Sequence, residues 1–69
     1  MDKIDNFVKQ KDLNNLLKLL RSKNEMTRLD AIRAICKLGD KKAIPDIERI
    51  LLEDDVLPIR EEAAKTLGE

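Results

Sequence analysis

Residues 26–52 read MTRLDAIRAICKLGDKKAIPDIERILL, and the fold turns on this stretch. Met26, Leu29, Ile32, Ile35, Cys36 and Leu38 recur at spacings of three and four, the period of one face of an α-helix. Asn24 precedes them as an N-cap and Gly39 follows as a stop, so the pattern predicts a helix over about 25–38. Asp40 offers the next cap, and Ile44, Ile47, Ile50, Leu51 and Leu52 mark another helix. Pro45 belongs near its start, where a missing N–H costs least, and an irregular first turn is expected there.

The same reading extends both ways. Upstream, Leu13, Leu16, Leu17, Leu19 and Leu20 form a helical stripe capped by Asp12, and the polar turn Arg21-Ser22-Lys23-Asn24 follows it. Downstream, Glu53-Asp54-Asp55 reads as a solvated helix end. Pro58 then restarts a helix at its first position, with Ile59, Ala63, Ala64 and Leu67 on its apolar side and Gly68 as its stop. Residues 1–9 have only Ile4, Phe7 and Val8 as anchors and are expected to form a frayed helix. No segment alternates in the manner of a strand, so the chain reads as all-α.

The chain also repeats itself. A shift of 31 residues lays Ile4 on Ile35, Phe7 on Leu38, Leu13 on Ile44, Leu16 on Ile47, Leu19 on Ile50 and Leu20 on Leu51. One extra residue in the turn over 54–57 makes the shift 32, after which Arg28 meets Arg60, Ala31 meets Ala63 and Ile35 meets Leu67. A helix-pair unit of about this period is the mark of an α-solenoid. Ala31 and Ala63 are small where two helices cross, which lets the backbones approach, while the aliphatic positions fill the layers.

Thr27-Arg28 through Ala31-Ile32, Ile35, Leu38-Gly39-Asp40, Ala43-Ile44-Pro45, Ile47 and Ile50-Leu51 together resemble the HEAT-like repeat of the phycobilisome-lyase type. Ile59-Arg60 through Leu67-Gly68 repeats the first half, and the likeness spans about 12–69. The resemblance implies an all-α, short right-handed α-solenoid of about two helix-pair repeats and, usually, protein binding. It further implies that Asp40, Arg28 and Arg60 hydrogen-bond within or between repeats near the turns. The ladder is incomplete here, because Lys9 holds the position equivalent to Asp40.

Residues 1–69 are thus expected to form one domain, with 1–10 a partial helix or cap and 12–39 and 40–69 the repeat units. A solenoid needs caps at both ends. Residues 1–9 and the polar helix bearing Glu61, Glu62 and Lys65 suit that role; self-association through an open end and membership of a longer array are the other readings. Leu29, Ile32 and Cys36 correspond to Glu61, Ala64 and Gly68, so the last helix looks relieved of a second neighbour, which suits a terminal layer.

Composition restricts the chemistry. With no His, Trp or Tyr and only one Cys and one Phe, most metal ligands and stacking groups are missing, and no cofactor is expected. Cys36 has no His to activate it and no second Cys to pair with; within its apolar run it reads as a buried thiol in a reducing compartment. The acidic run 53–55 lacks the spaced oxygens and glycine of a calcium loop. No apolar span suits a membrane, and charges over 2–9 argue against a signal peptide, so a cytoplasmic location is expected.

Net charge is zero, yet it is segregated: residues 1–42 carry eleven Lys/Arg against six Asp/Glu, and residues 43–69 three against eight. In a solenoid this becomes a basic end and an acidic end, suited to a charged partner or to head-to-tail association. The repeat shift stacks Lys9 and Lys11 beside Lys41 and Lys42, with Lys37 close by, as a candidate partner-binding ridge. Val56 and Leu57, in the last turn, are the candidate apolar anchors. Nucleic acid is a weak candidate, since there is no excess positive charge and no base-stacking aromatic, and a recognition helix bearing Ile47, Ile50 and Leu51 would be too apolar. The expected function is therefore a non-catalytic protein-interaction or assembly module; the alternative is an accessory part of an enzyme complex of lyase or maturation type.

Overall fold

The computed structural model describes residues 3–68, and no strand occurs among them. The chain runs through α1 (Lys3–Lys9), α2 (Leu13–Leu19), α3 (Glu25–Leu38), a single 3-10 turn (Lys41–Ala43), α4 (Ile44–Glu53) and α5 (Leu57–Gly68). Side chains set most of these boundaries. Asp12 accepts from the Asn15 N–H at 3.3 Å and Asn24 from the Thr27 N–H at 3.2 Å, each satisfying a donor that the first helical turn leaves open. Gly39 ends α3 in the left-handed region at φ 65°, its N–H on the Ile35 carbonyl. Asp40 accepts from the Lys42 N–H at 2.9 Å, and this tight turn is the irregular entry that Pro45 imposes on α4.

The N-terminal helix is better finished than a frayed segment. The Asp12 N–H reaches the Phe7 carbonyl at 2.8 Å and the Lys11 N–H the Val8 carbonyl at 3.1 Å, the paired bonds of a Schellman turn. Lys11 supplies its left-handed residue at φ 54°, where glycine is the usual occupant. Ile4, Phe7 and Val8 pack against the main core, which explains why so short a helix is held.

Helix α3 is the centre of the packing, lying against α1, α2 and α5, while α5 also lies along α4. One row thus runs α1–α3–α5, with α2 and α4 beside it. The thinnest extent of the Cα trace is 15 Å, which fits two helix layers about 10 Å apart. The core joins Leu16 and Leu20 to Ala31, Ile32, Ala34 and Ile35 of α3, and continues through Ala43, Ile47 and Ile50 to Ile59 and Ala63. Ala31 and Ala63 are wholly buried. Ala63→Leu is therefore expected to overpack α5 and lower unfolding free energy by about 1–3 kcal/mol, read from urea unfolding; an unchanged midpoint would mean that α5 is not docked there.

Four residues counted in the apolar stripes face water instead: Met26, Ile44 and Leu52 are 59%, 42% and 79% exposed, and Ala64 of α5 is exposed as well. Helix geometry gives the reason. Met26 shares its strip with Arg33 and Lys37, seven and eleven residues on, which are exposed as well. Leu52 lies about 140° around α4 from the buried Ile47, at roughly 100° per residue.

Candidate functional site

A dense polar cluster lies at the turn between α4 and α5. Asp54, read from sequence as part of a solvated helix end, has its side chain only 4% exposed, whereas the adjacent Asp55 side chain is 91% exposed. The Arg28 guanidinium, itself 13% exposed, donates from Nε to Asp54 Oδ2 at 2.9 Å and from Nη2 to Asp54 Oδ1 at 3.2 Å. Its third nitrogen, Nη1, donates to the Ser22 carbonyl at 2.8 Å. Oδ1 of Asp54 also accepts from the Val56 N–H at 2.9 Å, and the Asp54 carbonyl accepts from Arg60 Nη1 at 2.7 Å. A planar fork meeting both carboxylate oxygens is the geometry for which arginine is suited and lysine is not.

The internal repeat explains this arrangement. Arg28 reaches the Ser22 carbonyl six residues back, and Arg60 reaches the Asp54 carbonyl six residues back. Likewise Ser22 Oγ accepts from the Asn24 N–H at 3.1 Å, as Asp54 Oδ1 does from the Val56 N–H. The two turns are one design at a shift of 32, except that a carboxylate replaces the hydroxyl in the second. That change lets Arg28 bridge from its own turn to the next. Asp40 takes no part: its side chain caps the 3-10 turn, so the acid serving both arginines is Asp54. The sequence reading sets Arg28 against Arg60 and does not single out Asp54 beside them; the equal six-residue spacings Ser22–Arg28 and Asp54–Arg60 carry the signal. With Oδ1 accepting from both Arg28 and Val56 and Oδ2 from Arg28, Asp54 works as a clamp between the two turns.

The lysines Lys9, Lys11, Lys37, Lys41 and Lys42 are all exposed. Two of them border different openings. Lys41 lies beside a mostly apolar cleft of about 390 Å³ formed by Ile35, Cys36, Ile44, Ile47 and Leu67, among others. Lys37 borders a groove of about 300 Å³ between α1 and α3, floored by Ile4, Val8 and Ala34. Cys36 is half-buried in the first of these. Leu57 is 55% exposed, while Val56 is partly buried against the core; Pro45 is exposed at the start of α4. At the far side of α3, Arg33 approaches Glu62 of α5 at 3.7 Å. Among the described residues no group of three or more His, Cys, Asp or Glu could hold a metal ion, and no helix is long and apolar enough to cross a membrane.

The family described as HEAT repeats matches residues 9–69, nearly the whole chain. No curated protein and no solved structure matches it.

Proposed function

Because the chain belongs to the HEAT-repeat family, whose members generally serve as protein-interaction scaffolds, we propose that it is a protein-interaction or assembly module and carries no catalytic activity of its own. The observation that supports this most is the family match over 9–69, set on a fold whose polar cluster is used up in bracing two turns. In this reading residues 1–69 form one short right-handed α-solenoid, with 1–10 as its cap and 12–39 and 40–69 as its repeats. It works in the cytoplasm. The partner meets the turn-edge lysines Lys9, Lys11, Lys37, Lys41 and Lys42 and the anchors Val56 and Leu57. Charge supports the choice: the first 42 residues have an excess of basic groups, and acidic surfaces would be drawn to them at low salt.

The test is affinity capture with the tagged chain from a lysate of its source, beside a Lys41→Glu, Lys42→Glu variant of equal thermal stability. Proteins held by the wild type and released by the variant are the expected result. An enzyme among them would make the chain an accessory subunit, the alternative that the resemblance to the phycobilisome-lyase type permits. Capture that ignores the charge reversal would remove the lysine edge from the account, and nuclease-sensitive capture of nucleic acid alone would overturn it.

A further inference from the structure

From the way the fold gathers its lysines, we infer that one end of this chain holds an acidic, unfolded segment of a partner protein. The inference rests on the interaction-module reading and names what the lysine edge takes. Successive helices joined by short turns reverse direction, so the turns collect at two ends. Val8 and Lys37, at the ends of α1 and α3, line one groove; Gly39, Lys41, Ile44, Thr66 and Leu67 line the next. The ends of α1, α3 and α5 therefore lie together with the start of α4. Ser22, Arg28, Asp54 and Arg60 are joined at the opposite end. The turns bearing Lys9 and Lys11 and Lys41 and Lys42 thus follow adjacent helices of one row, about 10 Å apart, although 31 residues separate them in sequence.

Charge and shape specify the occupant. Among the described residues, this end carries Lys9, Lys11, Lys37, Lys41, Lys42 and Lys65, all exposed, against the carboxylates of Asp12 and Asp40. Both acids are only partly exposed and are engaged as caps, Asp12 by the Asn15 backbone and side chain and Asp40 by the Lys42 N–H. One turn inward, Asp5 and Asp30 line a groove with Arg33 and Lys37, and Asp46 stands 4.0 Å from Arg49. The opposite end is mixed, exposing Arg21, Lys23, Glu25 and Asp55. Lysine is depleted from the cores of folded interfaces, and Ile44 is the one large, clearly exposed apolar side chain at the lysine end, so a solvated acidic segment fits better than an apolar anchor or a bilayer. The lack of exposed aromatics or arginine forks there disfavours nucleic acid. A second copy is poorly matched, because its exposed acids of 43–69, Glu48, Glu53, Asp55 and Glu61, are spread over α4, the far turn and α5.

A labelled peptide of glutamate alternating with serine is the probe, followed by fluorescence anisotropy with the full chain at low salt. Saturable binding is expected, weakened about tenfold or more on raising salt to about 0.3 M. Lys41→Glu with Lys42→Glu, folded by circular dichroism, should weaken it about tenfold or more, the sum of several exposed pairs. Lys9→Gln with Lys37→Gln, which adds no acid, should cost about threefold or more by the same pairs. Arg21→Glu with Lys23→Glu changes the net charge as much at the opposite end and should cost about twofold at most. Equal losses at the two ends, binding indifferent to salt, or no binding would overturn the inference. So would tighter binding of a single-stranded oligonucleotide or of phosphatidylglycerol vesicles, or oligomers in sedimentation equilibrium that dissociate with Lys41→Glu and Lys42→Glu. Lysate proteins released by that variant while the peptide fails to bind would leave the proposed function standing with a folded partner surface, which separates the two failures.

Discussion

Asp54→Ala is expected to lower unfolding free energy by about 3–5 kcal/mol, the largest effect of any single polar change in this chain. The loss exceeds that of a surface ion pair because the Arg28 guanidinium is only 13% exposed and would be left buried without its carboxylate. The Val56 N–H loses its acceptor in the same step. Domains hold together by about 0.05–0.15 kcal/mol per residue, so 69 residues have roughly 3–10 kcal/mol in all. The variant should therefore be largely unfolded at 37 °C by far-UV circular dichroism. Asp54→Asn keeps an acceptor for Val56 and one for Arg28 and should cost about half as much. If alanine and asparagine were both neutral in urea unfolding, the buried fork would have no energetic role.

Ile32→Ala should cost about 2–5 kcal/mol, whereas Ala64→Ser, at the equivalent position 32 residues on, should change stability by less than about 0.5 kcal/mol. Ile32 is wholly buried in α3 between neighbours on both sides of the row; Ala64 on α5 is exposed. Truncating Ile32 removes three carbons from a wholly buried core site whose walls collapse only in part, and the cavity adds to the lost transfer energy. Equal costs at the two positions would contradict the order α1–α3–α5. Chemical denaturation of both variants decides the matter.

The helices were legible because aliphatic spacing and caps agreed with each other. The limits of α3, set by Asn24 and Gly39, are those the sequence reading places there, and Ala31 and Ala63, which the repeat shift matches, are both wholly buried. What was harder to read has a common cause. Spacing tells which residues share a face but not how far around the helix the neighbours reach, so Met26 and Leu52 were counted with the core and stand outside it. A run of three acids looks like solvated surface until the partner is known, and the partner of Asp54 lies 26 residues away on α3. Lys11 hides its backbone role for a similar reason: its side chain looks like one more surface cation, while its left-handed φ closes α1. The lysine edge is legible as composition only, since Lys37 and Lys41 border separate openings.

Arg28 of α3 and Asp54 of the following turn brace the two turns into one body. A double-mutant cycle with Arg28→Met, Asp54→Ala and the pair together, each followed by urea unfolding, measures that coupling directly. A coupling energy of about 1.5 kcal/mol or more, with the double variant more stable than the sum of the single losses implies, is the predicted result. Losses that add to within about 0.5 kcal/mol would mean that the two residues do not act on each other, and the account of how the repeats are joined would be wrong.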